Sequence, residues 1–292
     1  MKKIAMTTIL LFLAAGLMPA KERVEAAEII KQINEGKTVS YENAEIFGDL
    51  DLISLDEVTE KKPYGSKTTW TEIQKNQRRW RHSTRTFWSH VRSPISFVNC
   101  TFTGNVLAYE HNERYNETYN VVFHENVNFT GCAFQGKSAF KYCIFEENAS
   151  FENTSYRDEA LFKYSRFSGD VSFARSSFED PANFKYTKFP GKADFSGTRF
   201  QDEANFKYTD FDGNVVFSGT SFQDEANFKY TKFPQGVNFK SAVFERFVNF
   251  KYAKFEDPFN FDKVEIKGDV DLKYTKYNGR SFSRYLLENR LP

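Results

Sequence analysis

The chain has 292 residues, 40 of them Lys or Arg and 39 Asp or Glu, for a formal net charge of +1. That balance excludes a binder of polyanions or polycations that works through its whole surface. Aromatic residues make up 17%, including 33 Phe, a usage that calls for a core position refilled many times.

In chain order, residues 1–27 read as a signal peptide. Lys2 and Lys3 precede an apolar run from Ile4 to Leu17, and Val24-Glu25-Ala26 offers a small-x-small cut ending after Ala27. The run is too short for a membrane span, which needs about 20 residues. The expectation is an exported protein in the periplasm, on the cell surface or outside the cell. Residues 28–55 read as an N-terminal capping helix and a first coil. Ile29, Ile30 and Ile33 share one helical stripe, and Gly36 is a suitable stop. Residues 56–94 break the pattern that follows. From 61 to 92 nine Lys and Arg face Glu72 alone, and Trp70, Trp80 and Trp88 all lie there. A second interruption, "LAYEHNERYNETYN" at 107–120, is polar and rich in Tyr. Both are expected to project from the N-terminal part of the molecule.

Residues 95–277 repeat. "ANFKYTKF" at 182–189 returns as "ANFKYTDF" at 204–211 and as "ANFKYTKF" at 226–233, at intervals of 22. From Phe123 to Phe261 the Phe residues step alternately by six and five, with Tyr156 filling one gap. Such spacing drifts around a helix of 3.6 residues per turn but suits short extended segments separated by corners. The residue two before each Phe is usually small, as at Ala182, Ala193, Ala204 and Ala226. Residues two apart on an extended segment point the same way, so Phe and the small residue share the interior. Cys100, Cys132 and Cys143 also stand two before a Phe, and are expected to be buried thiols. Asn183, Lys185 and Tyr186 should face water.

Together with "ADFSGTRF" (193–200) and "VSFARSSF" (171–178), these octets resemble the pentapeptide-repeat family in its Phe-centred form. The resemblance implies an all-β fold, a right-handed quadrilateral parallel β-helix or solenoid. An extra residue at every second corner implies a bulged cross-section. Open solenoid ends need covering, so short N- and C-terminal capping helices are expected, the latter in 278–292 ("SFSRYLLEN", 281–289).

Two surfaces are candidates for binding. On the loop, Trp70, Arg78, Arg79, Trp80, Arg81 and Trp88 combine guanidinium forks with indole rings, a set suited to anionic envelope polysaccharide or lipid headgroups. On the solenoid, Lys185, Lys207 and Lys229 should align in one column and Tyr186, Tyr208 and Tyr230 in another. An acidic corner with Asp158, Asp180, Asp202 and Asp224 stands beside them and should offset their repulsion. A plainer reading is a self-neutralised solvated face. Flat half-coils such as "FSGT" (195–198) suit a protein partner or a second copy in a homodimer.

The four His residues (82, 90, 111, 124) lack metal-ligand spacing, and no cofactor motif or catalytic constellation stands out. The resulting expectation is a non-catalytic exported scaffold. Some members of the family resemble DNA and bind type II topoisomerases. An export signal and a lysine-rich face argue against that reading, and nucleic acid is not the expected partner. A polysaccharide-acting enzyme would need a cleft that a Phe-filled coil does not offer.

Overall fold

The computed structural model describes residues 21–60 and 84–289. One coil illustrates the rest: Ala182–Asn183, Lys188–Phe189, Ala193–Asp194 and Arg199–Phe200 are four two-residue strands. Each pairs in parallel with its counterpart 22 residues on, as in Ala182↔Ala204 and Arg199↔Ser221. Among the described residues, stacking these coils gives four sheets of 10, 12, 9 and 9 strands. The molecule is a right-handed, four-sided parallel β-solenoid of about 11 turns with a short helix at each end.

Corners of two kinds produce the five-six rhythm. At the tighter kind, Thr187 N–H donates to the Phe184 carbonyl at 3.0 Å, leaving Lys185 and Tyr186 at the tip. Tyr186 has φ +61°. The corresponding tip in the other half-coil uses Gly197, φ +65°, the residue that meets this conformation without strain. The wider corners hold three residues, such as 190–192, and absorb the extra residue expected there.

Phe fills the bore. Rings stack along each face, Phe184 on Phe206 at 4.9 Å and 2° between planes. They meet edge to face across it, Phe184 against Phe195 at 5.4 Å and 86°. Such contacts add about 0.5–1.5 kcal/mol per pair to area burial. The remaining interior corners hold hydroxyls. Thr187, Thr198, Thr209, Thr220 and Thr231 each donate to a Phe carbonyl of the preceding coil at 2.7–2.8 Å. Each link ties one coil to the next and satisfies a buried polar group. All three cysteines are buried and unbridged at this position.

The N-terminal end differs from the sequence expectation. Glu22–Glu25, placed in the signal peptide by a cut after Ala27, forms a parallel strand on Ala44–Phe47. The helix starts at Ala26 and runs to Asn34. Ile29 and Ile33 face the first coil, as expected, with Leu50 and Leu52 in the same core. Gly36, φ +68°, ends the helix, with its N–H on Ile33 and that of Lys37 on the Gln32 carbonyl, a left-handed cap of the usual kind. At the far end Phe282 opens the helix Phe282–Asn289 and is completely buried.

Among the described residues, neither interruption simply projects. Val58–Glu60 and Arg85–Val91 pair antiparallel as strands of the twelve-stranded sheet. Arg85–Val91 also runs parallel to Glu117–Phe123 over seven residue pairs. The second interruption folds as a hairpin, Tyr109–Asn112 against Glu117–Phe123. The wall therefore begins before residue 95, and along the described residues the pattern breaks where these strands lengthen beyond two residues.

Candidate functional site

The tighter corners place Lys141, Lys163, Lys185, Lys207, Lys229, Lys251 and Lys273 one per coil, each followed by Tyr. The rings of Tyr142, Tyr164, Tyr186, Tyr208, Tyr230, Tyr252 and Tyr274 form one stack. Centroids lie 4.7–4.9 Å apart, and from Tyr142 to Tyr252 the planes agree within 3°. Lys185, Lys207 and Lys229 Nζ lie 5.1, 5.3 and 5.4 Å from their own Tyr centroids. The solenoid thus brings Lys185, Tyr186, Lys207, Tyr208, Lys229 and Tyr230 together as expected.

The geometry narrows what this surface can do. Ring faces are consumed by neighbouring rings, so only edges, hydroxyls and ammonium groups meet the solvent along the column. All seven tyrosines occupy left-handed backbone, φ from +59° to +64°. A non-glycine residue there costs on the order of 1–3 kcal/mol and persists only where something compensates. Stacking supplies about 0.5–1.5 kcal/mol per ring pair.

The expected charge balance is not realised. Among the described residues, the ion pairs of the acidic corner go elsewhere, Glu159 to Lys137 at 2.8 Å and Asp224 to Arg246 at 3.4 Å. Burial, then the neighbouring Lys185 and Lys229, pull the Lys207 ammonium below its ordinary pKa. Burial and then Glu225 push Glu203 up. The acids and lysines lie at opposite ends of the same short strands and repel within their own rows. The next row on the twelve-stranded sheet adds Arg166, Lys188, Lys254 and Lys276; there Lys232 reaches Asp210 at 3.9 Å.

Of the loop candidates, Trp70, Arg78, Arg79, Trp80 and Arg81 lie outside the described residues. Trp88 is not on a loop. It is half-buried in Arg85–Val91, paired across to Thr59 and Asn120. Strand pairing on both sides fixes it in the wall.

Sequence reasoning missed a polar chain close by. Thr59 Oγ1 lies 2.8 Å from His90 Nε2, His90 Nδ1 lies 2.9 Å from His124 Nε2, and His124 Nδ1 lies 2.8 Å from Glu146. The one available signal was that Glu146 follows His124 by the repeat length of 22.

The repeat-family comparison agrees with this architecture. The family model described as pentapeptide repeats (9 copies) matches residues 119–165, 162–210, 184–232 and 228–276. No curated protein sequence matches. Among solved structures, the 2.0 Å crystal structure of HetL is similar at 10% identity and a TM-score of 0.30. HetL is a pentapeptide repeat protein involved in heterocyst differentiation regulation in the cyanobacterium Nostoc sp. strain PCC 7120. The alignment covers 88% of this chain and 99% of HetL. With more than half its length matched by the repeat model, and four parallel sheets stacked at the interval of its phenylalanines, the chain belongs to the pentapeptide-repeat family.

Proposed function

We propose that the protein is an exported, non-catalytic scaffold that holds a linear anionic polymer of the cell envelope along its lysine and tyrosine columns. The basic segment around Arg78, Arg79 and Arg81 is a second contact. The observation that carries this reading is the column of seven lysines without acidic partners among the described residues, held at one per coil. Cations about 4.8 Å apart repel by roughly 1 kcal/mol per neighbour in water. A polymer bearing regularly spaced carboxylates, sulfates or phosphates relieves that repulsion and releases its own counterions. Tyr hydroxyls at the same pitch add hydrogen bonds. Support for a scaffold rather than an enzyme comes from the bore, which rings fill from wall to wall.

The test is retention on an immobilised sulfated polysaccharide and on vesicles containing anionic lipid, measured against salt. Replacing Lys185, Lys207 and Lys229 by Glu should weaken polysaccharide binding at low salt at least tenfold. A parallel Arg78, Arg79 and Arg81 to Glu variant measures the loop. Unchanged retention in the first variant removes the column from the function, and unchanged retention in both removes polyanion binding.

A further inference from the structure

Two of the buried thiols occupy one column. Thr101 pairs with Ala133, so the preceding residues, Cys100 and Cys132, stack one coil apart. Their side chains are 0% and 1% exposed. Cys100 Sγ lies 3.5 Å from the Tyr41 carbonyl oxygen and Cys132 Sγ lies 3.3 Å from that of Phe97. Tyr41 and Phe97 are themselves register partners, so both sulfurs sit at the same place in successive coils. Parallel neighbours are about 4.8 Å apart, inside the 4.4–6.8 Å Cα separation of a disulfide.

Further along this column stand Thr154, Ser176, Thr198 and Thr220, whose hydroxyls donate to the preceding coil at 2.5–2.9 Å. A thiol is a much weaker donor. Two successive coils thus carry a weaker S–H link to the preceding coil where the following ones carry a hydroxyl. Cys143 occupies the other hydroxyl column, 3.4 Å from the Ala108 carbonyl, with Ser165 as its next neighbour.

We propose that Cys100 and Cys132 are a disulfide site that staples two N-terminal coils together across the hairpin Tyr109–Phe123. The bridge forms by exchange with a small disulfide such as oxidised glutathione. Cys100 sulfur attacks it, giving a mixed disulfide and one glutathione thiol. Cys132 sulfur then displaces the second glutathione. The bridge is the oxidised product, and the two thiol hydrogens end on two reduced glutathiones. Burial of both places the reaction during folding or on opening of the first coils. The pairing does not depend on the polymer-binding reading.

The experiment refolds the full chain in a reduced and oxidised glutathione mixture, alkylates it in denaturant without reductant, and maps the peptides by mass. The expected result is a linked Cys100–Cys132 peptide with Cys143 alone alkylated, and the same linkage in Cys143→Ser. Alkylation of all three residues after oxidative refolding, or a bridge that contains Cys143, overturns the proposal. The linkage in the unmodified chain decides the proposal, whether or not Cys143→Ser folds.

Discussion

His90 Nδ1 and His124 Nε2 are 2.9 Å apart although 34 residues separate them in sequence. With both imidazoles neutral the chain is satisfied in one direction: Thr59 hydroxyl to His90, His90 to His124, His124 to Glu146. Burial, and then the charge of His124, hold His90 below its ordinary value of 6.5. Glu57 and Glu146 oppose that shift, and Arg92 adds to it. As pH falls through about 6.5 the unfolded chain takes up this proton before the folded one does. The stabilisation is therefore complete above that pH and is lost as pH falls toward the folded value. Thermal unfolding between pH 7.5 and 5.5 should show a steeper loss in the parent than in His90→Gln, where this term is absent. Equal slopes would remove His90 from the pH response.

Tyr156 sits in a column of Phe, stacked on Phe134 at 5.0 Å and Phe178 at 4.5 Å. Its hydroxyl is buried without a hydrogen-bond partner among the described residues. A desolvated, unpaired hydroxyl costs about 1–3 kcal/mol. Tyr156→Phe keeps the ring and removes the cost, so denaturant unfolding should show a gain of about 1 kcal/mol or more. A loss would mean that the oxygen has a partner, such as a bound water. The neighbouring core sets the opposite limit: Phe206→Ala, emptying a site between Phe184 and Phe228, should cost about 3–5 kcal/mol.

These two sites also show what a sequence of this kind discloses. The bore accepts one ring per face per coil, so Phe spacing reports the coil directly, and Tyr156 is visible as the only substitution between Phe123 and Phe261. The Lys and Tyr columns follow from the same arithmetic. Left-handed backbone at Tyr186 does not, because an aromatic residue at a turn tip is not the residue that turn chemistry favours. His90 and His124 stayed hidden for another reason. The hairpin inserts ten residues, so strand partners such as Thr101 and Ala133 lie 32 apart instead of 22. Any pairing across an insertion loses the period that reveals the others.

Tyr208 offers a test of what holds the column. It stacks on Tyr186 at 4.9 Å and Tyr230 at 4.7 Å, with φ +59°. Tyr208→Ala loses both stacks and keeps the strained backbone, and should cost about 1–3 kcal/mol. Tyr208→Gly loses the same stacks but relieves the strain, so it should be the milder change by up to about 1 kcal/mol. Chemical unfolding of the two variants measures the difference. Glycine as the more damaging substitution would show that this corner is not strained.

The strand Glu22–Glu25 constrains where any leader could be removed. Glu22–Glu25 adds a strand to the first coil, placing Val24 beside Ile46. Arg23 lies over the Phe47 ring at 4.8 Å and Lys21 Nζ donates to Thr101 at 3.0 Å. Val24 and Ala26 are 7% and 2% exposed. A cut after Ala27 would remove this strand and the first two residues of the helix, and would leave Ala44–Phe47 as an open edge that invites pairing with other chains. If export processes the protein, the mature N-terminus should therefore lie at Glu22 or earlier. Intact mass and N-terminal sequencing of the secreted form decide this. A chain beginning at Glu28 would show that the strand is dispensable, and a chain purified from Glu28 onward should then unfold at the same temperature as one beginning at Lys21.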